Sequence, residues 1–462
     1  MGTIWNSLSS PISLLVVLTI VVFIHELGHF LVARWCGVKV QAFSIGFGRE
    51  ICGFTDRQGT RWKLAWIPLG GYVRFADDDN SASVASRDKL EQMSAAERDG
   101  AFQTKPLHQK AAVVIAGPAF NIVSAVVFLF CTFWLLGVDG HPARIDTVRA
   151  GSPAENAGVK PGDLVVEANG QSVYRWVELQ REINRNANYP VALVLDRDGK
   201  RVVTTVTPVR RESPSLLGGV IEMGDIGIGA SIPARVGRVQ PDSAAMTAGL
   251  QTDDRILAID SKPIRHFADL QQIIGANTGT EIVILVQRGT EQLKLTARPE
   301  PIGDGRPGRR IGISPKGDPD VRYGALESAR FSVSELVFFT EEIFRGIPRL
   351  PGAIAKVLSF EKQDQLGGPI AIAEMSKYAV ESGWSGFVSW IAIFSIMLGV
   401  MNLLPIPLLD GGHLMFYALE AIRGKPLNER NQEIGFKIGM AVLGTMMFAA
   451  ILGDIMRKLG LV

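Results

Sequence analysis

The stretch PISLLVVLTIVVFIHELGHFLVA, residues 11–33, decides the fold class of this chain because it is one apolar run without Lys or Arg. A helix needs about 20 predominantly apolar residues to cross the hydrocarbon core of a bilayer, and this run has that length. Its first half carries no ionisable residue, whereas its second half contains His25-Glu26-Leu27-Gly28-His29. We therefore predict a membrane-spanning helix with a group of functional side chains in its second half.

The HExxH sequence places ionisable side chains where a charged group costs about 2–4 kcal/mol on insertion scales. On a helix, His25 and His29 are i and i+4, so both imidazoles lie on one face and can bind one Zn²⁺ ion. Glu26 then lies beside that ion, where it can act as general base towards an attacking water. A buried structural pair of histidines is the alternative, but it leaves the intramembrane glutamate without a role. The pattern indicates peptide hydrolysis by a zinc enzyme inside a membrane.

The rest of the chain predicts a multi-pass α-helical membrane protein. It has 462 residues, 47% of them hydrophobic, and three further apolar runs long enough to span: Ala111–Gly137, Gly386–Leu409 and Ile434–Gly453. We expect about four transmembrane helices in a lipid bilayer. The formal net charge of +2 gives no reason to expect a nucleic-acid partner, and three cysteines are too few for a disulfide framework.

Basic residues near the spans predict the orientation, because cytoplasmic loops carry an excess of Lys and Arg. They lie in the loop between spans one and two and in the loop between spans three and four: Arg34, Lys39, Arg49, Lys105 and Lys110, then Arg423, Lys425, Arg430 and Lys437. Both loops, and with them the HExxH end of the first span, are expected on the cytoplasmic side. Residues 138–385 are expected on the outer side. Arg457 and Lys458 argue mildly against this orientation.

The outer segment contains an internal repeat, in which residues 157–170 align with residues 248–261 at a shift of 91 residues. Each copy reads as a short helix, a Gly/Asp turn, a β-branched strand and a second turn, followed by another helix and further strands. The stretch GSPAENAGVKPGDLVVEANGQSV, residues 151–173, resembles PDZ domains of the bacterial protease-associated type. We therefore expect two tandem α+β PDZ domains.

The PDZ resemblance implies that these modules bind peptides or substrate termini by adding a strand to a sheet edge. Rigid modules that act only as a size filter are an equally good alternative. The second copy has Thr252-Asp253 where the first has Pro161-Gly162, which puts its turn geometry and its ligand binding in question.

These features predict five regions along the chain. They are a first membrane part with two spans, HExxH and a cytoplasmic loop (1–140), PDZ domain 1 (141–212), PDZ domain 2 (225–300), a linker with amphipathic surface helices (301–385), and a second membrane part with two spans (386–462).

A catalytic zinc ion usually has three protein ligands and one open position, so the third ligand must come from another segment. Asp410, in NLLPIPLLDGG (402–412), is the best candidate because it closes the third apolar run. At a rise of about 1.5 Å per residue, HExxH lies about 21–27 Å below Pro11, and the inner end of the third run has a matching depth. Pro405 and Pro407 break the helix there, which is tolerated at depth only where backbone is buried or lines a cavity. A helix cap or a solvated flank is the alternative for Asp410.

HExxH in the first span, together with N-x-x-P-x-P-x-L-D-G in a later one, resembles the site-2 protease family of intramembrane zinc metalloproteases. PLGGYV (68–73) and AGPAFN (116–121) extend the resemblance over nearly the whole chain. It implies one Zn²⁺ ion held by His25, His29 and Asp410, with Glu26 as catalytic base. It also implies that Asn402 lies close to the site and helps to bind substrate. Asn121 is expected first to hold helices together and only second to contact the site.

The segments Phe54–Asp56 and Thr60–Ile67 predict a β-hairpin next to PLGGYV. Similar sequences in that family form a membrane-associated β structure near the active site, which implies substrate contacts for Gly70, Gly71 and Tyr72. An exposed strand edge could hold an unwound substrate segment by strand addition. An ordinary cytoplasmic hairpin is the alternative.

Together these expectations describe an intramembrane zinc endopeptidase of the bacterial inner membrane, with periplasmic PDZ domains. The resemblance implies single-span membrane proteins as substrates, such as an anti-sigma factor after a first cut or remnant signal peptides, and hence regulated intramembrane proteolysis in a stress response. The alternative is a non-catalytic membrane scaffold that recruits proteins through its PDZ pair. An ion or metal transporter is a third reading, but it predicts more polar residues in the other spans than they have.

Overall fold

The computed structural model describes residues 10–77, 94, 98–214, 220–230, 232–240, 243–278, 280–301, 308–316, 320–359, 368–425 and 429–458. The chain divides into two compact units. The first comprises Met1–Gly137, Pro214–Val220 and Arg322–Val462, and the second comprises Val138–Ser213 and Ile221–Val321.

The described α-helices are α1 (Ser10–Trp35), α2 (Leu107–Cys131), α3 (Pro153–Asn156), α4 (Trp176–Arg185), α5 (Ala244–Thr247), α6 (Phe267–Gly275), α7 (Ala325–Gly346), α8 (Leu350–Leu358), α9 (Pro369–Glu381), α10 (Gly383–Asn402), α11 (Asp410–Arg423) and α12 (Glu429–Lys458). A π-helical turn, Thr132–Leu136, extends α2, and a 3₁₀ turn, Ile347–Arg349, joins α7 to α8.

The described strands are β1 (Val40–Thr55), β2 (Arg61–Phe75), β3 (Val138–Asp139), β4 (Ile145–Val148), β5 (Leu164–Ala168), β6 (Gln171–Ser172), β7 (Val191–Arg197), β8 (Lys200–Val206), β9 (Val209–Pro214), β10 (Val220–Asp225), β11 (Ile228–Ala230), β12 (Val236–Val239), β13 (Arg255–Ile259), β14 (Lys262–Pro263), β15 (Ile282–Arg288), β16 (Glu291–Ala297), β17 (Glu300–Pro301), β18 (Arg309–Arg310), β19 (Ile313–Pro315) and β20 (Asp320–Val321).

Among the described residues, four helices of the first unit are long and apolar enough to cross a membrane: Pro11–Trp35, Leu107–Leu136, Gly383–Asn402 and Arg430–Met456. Each predicted span overlaps one of them. Exposed tryptophans mark their ends, with Trp35 closing the first, Trp134 near the end of the second and Trp384 at the start of the third. Tryptophan at span ends is typical of the membrane–water interface. α2 packs against both α1 and α10.

The third span ends earlier than the sequence predicts. The apolar run continues to Leu409, but α10 ends at Asn402 and Asp410 begins a separate helix, α11. The cause is Pro405 and Pro407, which lack a backbone N–H and disfavour helical backbone at the residue before them. Composition alone could not place the end, because the residues between Asn402 and Pro405 are leucines that suit a helix.

The predicted linker, 301–385, is from Arg322 onwards part of the first unit. α7 is amphipathic, as expected, but it packs against α2 and α10 as well as offering an exposed face. α9, which the sequence did not separate from the linker, packs against α1 and α10. These helices therefore cover the spans that carry the candidate site. The buried residues of α7 are Ser328, Phe331, Ser332, Glu335, Ile343 and Gly346.

A buried carboxylate of α12 holds the start of α9. Asp454, which is 3% exposed, accepts the backbone N–H groups of Gly368, Ile370 and Ala371 at 3.1, 2.8 and 3.3 Å. A helix N-terminus has unpaired N–H groups and a partial positive charge, so an anion buried there is stabilised. This contact joins the fourth span to a helix that packs on the first.

β1 and β2 form the predicted hairpin, but both strands are longer than predicted and bent. Each strand contributes two segments, and the four segments lie side by side as four rows of one sheet. Residues 42–45 pair with 71–74 on one side and with 61–64 on the other, and residues 61–65 also pair with 50–55. β1 bends at Gly46 and Gly48, whose φ values of +87° and +88° suit glycine. Residues 71–75 therefore form an edge row, with no further strand beside them in the described part of the chain.

The second unit contains two modules with the same order of elements. The sheet β6-β5-β7-β8 of the first matches β14-β13-β15-β16 of the second, and each module has its own apolar core. Equivalent ion pairs stand in both, Asp163 with Arg197 and Asp254 with Arg288, each at 2.7 Å. Both aspartates are almost fully buried. The repeat seen in the sequence is thus also a repeat of structure.

The modules end later than the predicted limits of 212 and 300. β11 pairs with β4 of the first module, and β19 pairs with β12 of the second. The last paired strand of the first module therefore ends at Ala230, and that of the second ends at Pro315. These closing strands have three residues each. Alternation of apolar and polar residues needs a longer run to be recognised, which is why the sequence did not assign them.

The turn of the second module keeps the geometry of the first despite its different residues. Asp253 has φ +75°, in the same left-handed region as Gly162 at +97°. Their N–H groups donate to equivalent carbonyls, of Val236 at 2.8 Å and of Ile145 at 2.7 Å. Asp tolerates this backbone better than most residues, and a contact with Lys316 at 2.5 Å balances its charge.

Candidate metal centre

Two glycines let the helices of the site approach each other closely. A Cβ on Gly28 of α1 would lie 2.4 Å from the carbonyl oxygen of Ala116 on α2. A Cβ on Gly117 of α2 would lie 2.3 Å from His29 Nε2 and 2.8 Å from His25 Cε1. The backbone of α2 is therefore in contact with both imidazoles, and no larger residue fits at position 117.

His25, His29 and Asp410 lie together, and their ligand atoms are all within 4.8 Å of one another. The two Nε2 atoms are 3.2 Å apart, and Asp410 oxygens lie 3.2 Å from His25 Nε2 and 3.6 Å from His29 Nε2. Two ligands at about 2.0–2.1 Å from a tetrahedral zinc ion are about 3.3–3.4 Å apart. The separation of the two Nε2 atoms is close to this edge length, and each Nε2 has a different Asp410 oxygen near it, Oδ2 for His25 and Oδ1 for His29.

The polar atoms of the cluster also suit a metal. Asp410 Oδ2 is buried and has no hydrogen-bond partner among the described residues, although His25 Nε2 is near it. Atoms that lie close without hydrogen-bond alignment are expected when each is directed at a common centre. His29 Nδ1 lies 2.8 Å from the carbonyl oxygen of Val113, so it carries the ring proton and leaves Nε2 free to bind a metal.

Glu26 follows His25 on α1 and lies at the edge row of the hairpin. A Cβ on Gly71 would be 3.1 Å from Glu26 Cγ and 3.1 Å from Val22 Cγ1. Gly71 thus brings the strand backbone up to the helix beside the histidine pair. Glu26 is half-buried, and its carboxylate is not one of the grouped ligand atoms. Glu26 is therefore a separate ionisable group beside the three candidate ligands.

The segment before Asp410 is folded back on the start of α11. A Cβ on Gly411 would lie 2.2 Å from the carbonyl oxygen of Leu404, and one on Gly412 would lie 2.5 Å from that of Ile406. Leu408 has φ +90°, a left-handed value that costs a residue other than glycine about 1–3 kcal/mol. Such strain persists only where surrounding packing fixes the backbone. This tight segment places the Asp410 carboxylate at the histidines.

The residues predicted to bind substrate lie in two places. Gly71 and Tyr72 are in the edge row of the hairpin, Gly70 directly precedes it, and the Tyr72 ring stacks on Phe47 with centroids 6.0 Å apart. Gly70 has φ +144°, and a Cβ there would meet the Phe47 ring at 2.5 Å. Asn402 is the last residue of α10, at the start of the break that leads to Asp410.

Asn121 is the residue whose position the sequence reading underestimated. It is fully buried on α2, and its side-chain nitrogen lies 3.2 Å from His25 Nδ1. The AGPAFN motif could have indicated this, because Gly117 and Asn121 are i and i+4 and share one helix face. Gly117 is the residue that touches the imidazoles.

The hairpin turn is tied to the end of α1 through Asp56. Its carboxylate accepts from Arg34 of α1, from Trp62 Nε1 at 3.0 Å and from the N–H groups of Gln58 and Thr60, both at 3.0 Å. Partial burial opposes ionisation, but the hydrogen bonds from Trp62, Thr60, Arg34 and Gln58 outweigh it and lower the pKa of Asp56 to about 2. The sequence had placed Asp56 at a strand end rather than in this turn.

We expect this attachment to be insensitive to pH across the neutral range. Because the folded pKa of Asp56 is below its unfolded value of about 3.9, its stabilisation is complete above that value and is lost as pH falls through about 2. Hydrogen exchange, corrected for intrinsic rates, should show constant protection of the Gln58 and Thr60 amides from pH 7 to about 4, and loss below. Asp56→Ala should show weak protection throughout. A protection step near pH 6 would contradict this assignment.

Comparison with known proteins adds a family match. The sequence profile described as peptidase family M50 matches residues 13–446. A Brucella suis protein whose name carries the words zinc metalloprotease is 34% identical over 95% of this chain and 93% of its own. The regulator of sigma-E protease RseP of Escherichia coli is 31% identical over 96% of this chain and 98% of its own. A solved PDZ domain of an SdrC-like protein from Listeria monocytogenes covers 19% of this chain with 20% identity and a TM-score of 0.17, too low a similarity to bear on the fold.

Proposed function

Because the chain belongs to peptidase family M50, the site-2 protease family, we propose that it is a zinc endopeptidase that cleaves transmembrane segments of single-span membrane proteins. The observation that carries this proposal is the cluster of His25, His29 and Asp410, in which the two Nε2 atoms are 3.2 Å apart and Asp410 oxygens lie 3.2 and 3.6 Å from them. The histidines belong to an apolar helix long enough to cross a membrane, and Asp410 follows the break after another. Family membership and the RseP name of a full-length relative support the same activity.

The chemistry follows from the positions of four side chains. His25 Nε2, His29 Nε2 and one Asp410 oxygen would hold the zinc ion. When bound, zinc supplies Lewis acidity, which polarises a peptide carbonyl and lowers the pKa of water. The Glu26 carboxylate, next along the helix from His25, takes the proton of the attacking water and passes it to the leaving amide nitrogen. The helices around the cluster limit the entry of bulk water.

The substrate must be locally unwound, because a helical segment keeps its carbonyls in i→i−4 hydrogen bonds. We assign the edge row of β2 to this task, with Gly70, Gly71 and Tyr72 in contact with the substrate. A strand added there would run past Glu26, since Gly71 lies against that residue. Asn402, at the start of the break before Asp410, is assigned to orienting the substrate beside the zinc ligands.

The proposed setting is a bacterial inner membrane, with the two modules of the second unit on the outer side and the zinc site toward the cytoplasm. The modules would act as PDZ domains that bind substrate termini or exclude uncut proteins with large outer domains. Substrates of this class include an anti-sigma factor after a first cut and remnant signal peptides. The basic loops beside the spans support this orientation.

Metal removal tests the proposed activity. Full-length protein in lipid nanodiscs would be given a tagged single-span substrate before and after zinc is stripped with a chelator. We expect cleavage to fall at least about 100-fold and to return on adding Zn²⁺ but not Mg²⁺, because Mg²⁺ prefers oxygen ligands and octahedral geometry. Cleavage that continues in protein shown to be zinc-free by mass spectrometry would refute the proposal and favour a membrane scaffold.

A further inference from the structure

The side chain of Asn121 makes a contact that does not match the chemistry of a metal-binding histidine. Its Nδ2 lies 3.2 Å from His25 Nδ1, while its Oδ1 is buried and has no hydrogen-bond partner among the described residues. A neutral imidazole that binds a metal through Nε2 carries its proton on Nδ1, which makes Nδ1 a donor. An amide nitrogen facing that atom would set two donors against each other.

A half-turn of the Asn121 amide removes the conflict between the two donors and gives Oδ1 a partner, while Nδ2 takes the position that Oδ1 has now. The oxygen and nitrogen of a side-chain amide have nearly the same shape, so their assignment follows from the hydrogen-bond partners. After the half-turn, Oδ1 accepts the Nδ1–H of His25. No hydrogen bond of Oδ1 is lost, because in the present orientation it has none.

Helix packing does not explain the position of the Asn121 side-chain amide. At the contact of α2 with α10, Ser395 Oγ donates to the backbone oxygen of Asn121 at 3.0 Å and lies 3.3 Å from Ser124 Oγ. These bonds use the backbone of Asn121 and two serines, not the Asn121 side chain. The side chain is directed instead at His25.

We propose that Asn121 is a positioning residue: its Oδ1 accepts the Nδ1–H of His25 and so fixes the tautomer and ring orientation in which Nε2 binds zinc. The carbonyl oxygen of Val113 does the same for His29, at 2.8 Å from Nδ1. α2 therefore contacts both imidazoles of α1 at Nδ1, the nitrogen opposite the proposed metal-binding Nε2. This inference rests on the proposed function, since it presumes a zinc site. Removing such a partner typically weakens metal binding about 10- to 100-fold.

Zinc affinity, measured on the purified full-length protein by competition with a chromogenic chelator, tests the assignment without recourse to activity. Asn121→Leu keeps the volume and removes both polar atoms, so we expect zinc to bind about 10- to 100-fold more weakly. Asn121→Asp keeps an acceptor but no donor, so it should bind zinc within a few-fold of the wild type. Ser395→Ala disturbs the same helix contact without touching His25 and should leave zinc affinity unchanged.

Each outcome separates this inference from the proposed function. If the wild type binds no zinc, both fail. If the wild type binds zinc and Asn121→Leu binds it equally tightly, only the role of Asn121 is overturned. If Asn121→Asp is as weak as Asn121→Leu, the amide acts as a donor and the acceptor assignment is wrong. Should Asn121→Leu fail to accumulate, Asn121→Ala, which only removes the amide, replaces it in the same comparison.

Discussion

Replacing Glu26 by Gln is expected to lower the cleavage rate about 100- to 10,000-fold, the usual range for loss of a general acid–base, while leaving bound zinc unchanged. The change removes a charge but keeps the shape of the side chain that lies against Gly71. Glu26 is not among the clustered ligand atoms, so the three proposed zinc ligands remain complete. Cleavage of a tagged single-span substrate and zinc content by mass spectrometry measure the two effects separately.

Two further variants fix the interpretation of that result. His25→Ala should lose zinc and cleavage together, because it removes one of three ligands. Glu433→Gln removes an exposed carboxylate of α12 whose ion pair with Lys437 is 3.7 Å long, and should change neither. If Glu26→Gln cleaved at the wild-type rate, the proton would have to be handled elsewhere and the assigned mechanism would be wrong.

The part of the site that the sequence predicts most directly is the pair of histidines, because it is fixed within one helix. The i, i+4 spacing brings His25 and His29 to one face whatever surrounds them, and the family assignment made from HExxH and the Asp410 motif is confirmed by the match over residues 13–446. Asp410 was predicted as the third ligand by a second argument, namely its expected depth in the membrane. That argument needed only the rise per residue and the positions of two prolines.

The remaining features depend on how elements are rotated and bent, which local sequence does not encode. Asn121 reaches His25 only because α2 turns that face to α1, and its sequence favoured helix packing. β11 closes the first module from outside the predicted limits because three residues suffice once a partner strand is present. The hairpin was predicted, but the bend at Gly46 that creates four rows depends on a close approach to the backbone of Ala65 and Ile67 in β2.

We expect the position of Asp410 to depend on Gly439 of the fourth span, a residue with no reactive side chain. A Cβ on Gly439 would lie 2.0 Å from the carbonyl oxygen of Pro407, a backbone atom that cannot rotate away. Pro407 precedes the strained Leu408 and lies three residues before Asp410. We expect Gly439→Ala to displace this segment by about 1 Å, and a misplacement of that size can cost about 100-fold in rate. Cleavage rate and zinc content are the measurements.

Gly444→Ala is the matched control, because it adds the same methyl group to the same helix at a position with no atom within 4 Å of the new Cβ. It should keep both cleavage and zinc. The sequence offers Gly435 and Gly439 as a G-x-x-x-G pair, a pattern that often marks contact between two membrane helices. Here Gly439 faces the backbone of Pro407, whereas Gly435 faces the Phe416 ring of α11, with Pro407 Cγ at 3.7 Å from the added Cβ. If Gly439→Ala cleaved as fast as Gly444→Ala, α12 would not hold the Asp410 segment in place, and the fourth span would serve the site only by covering it.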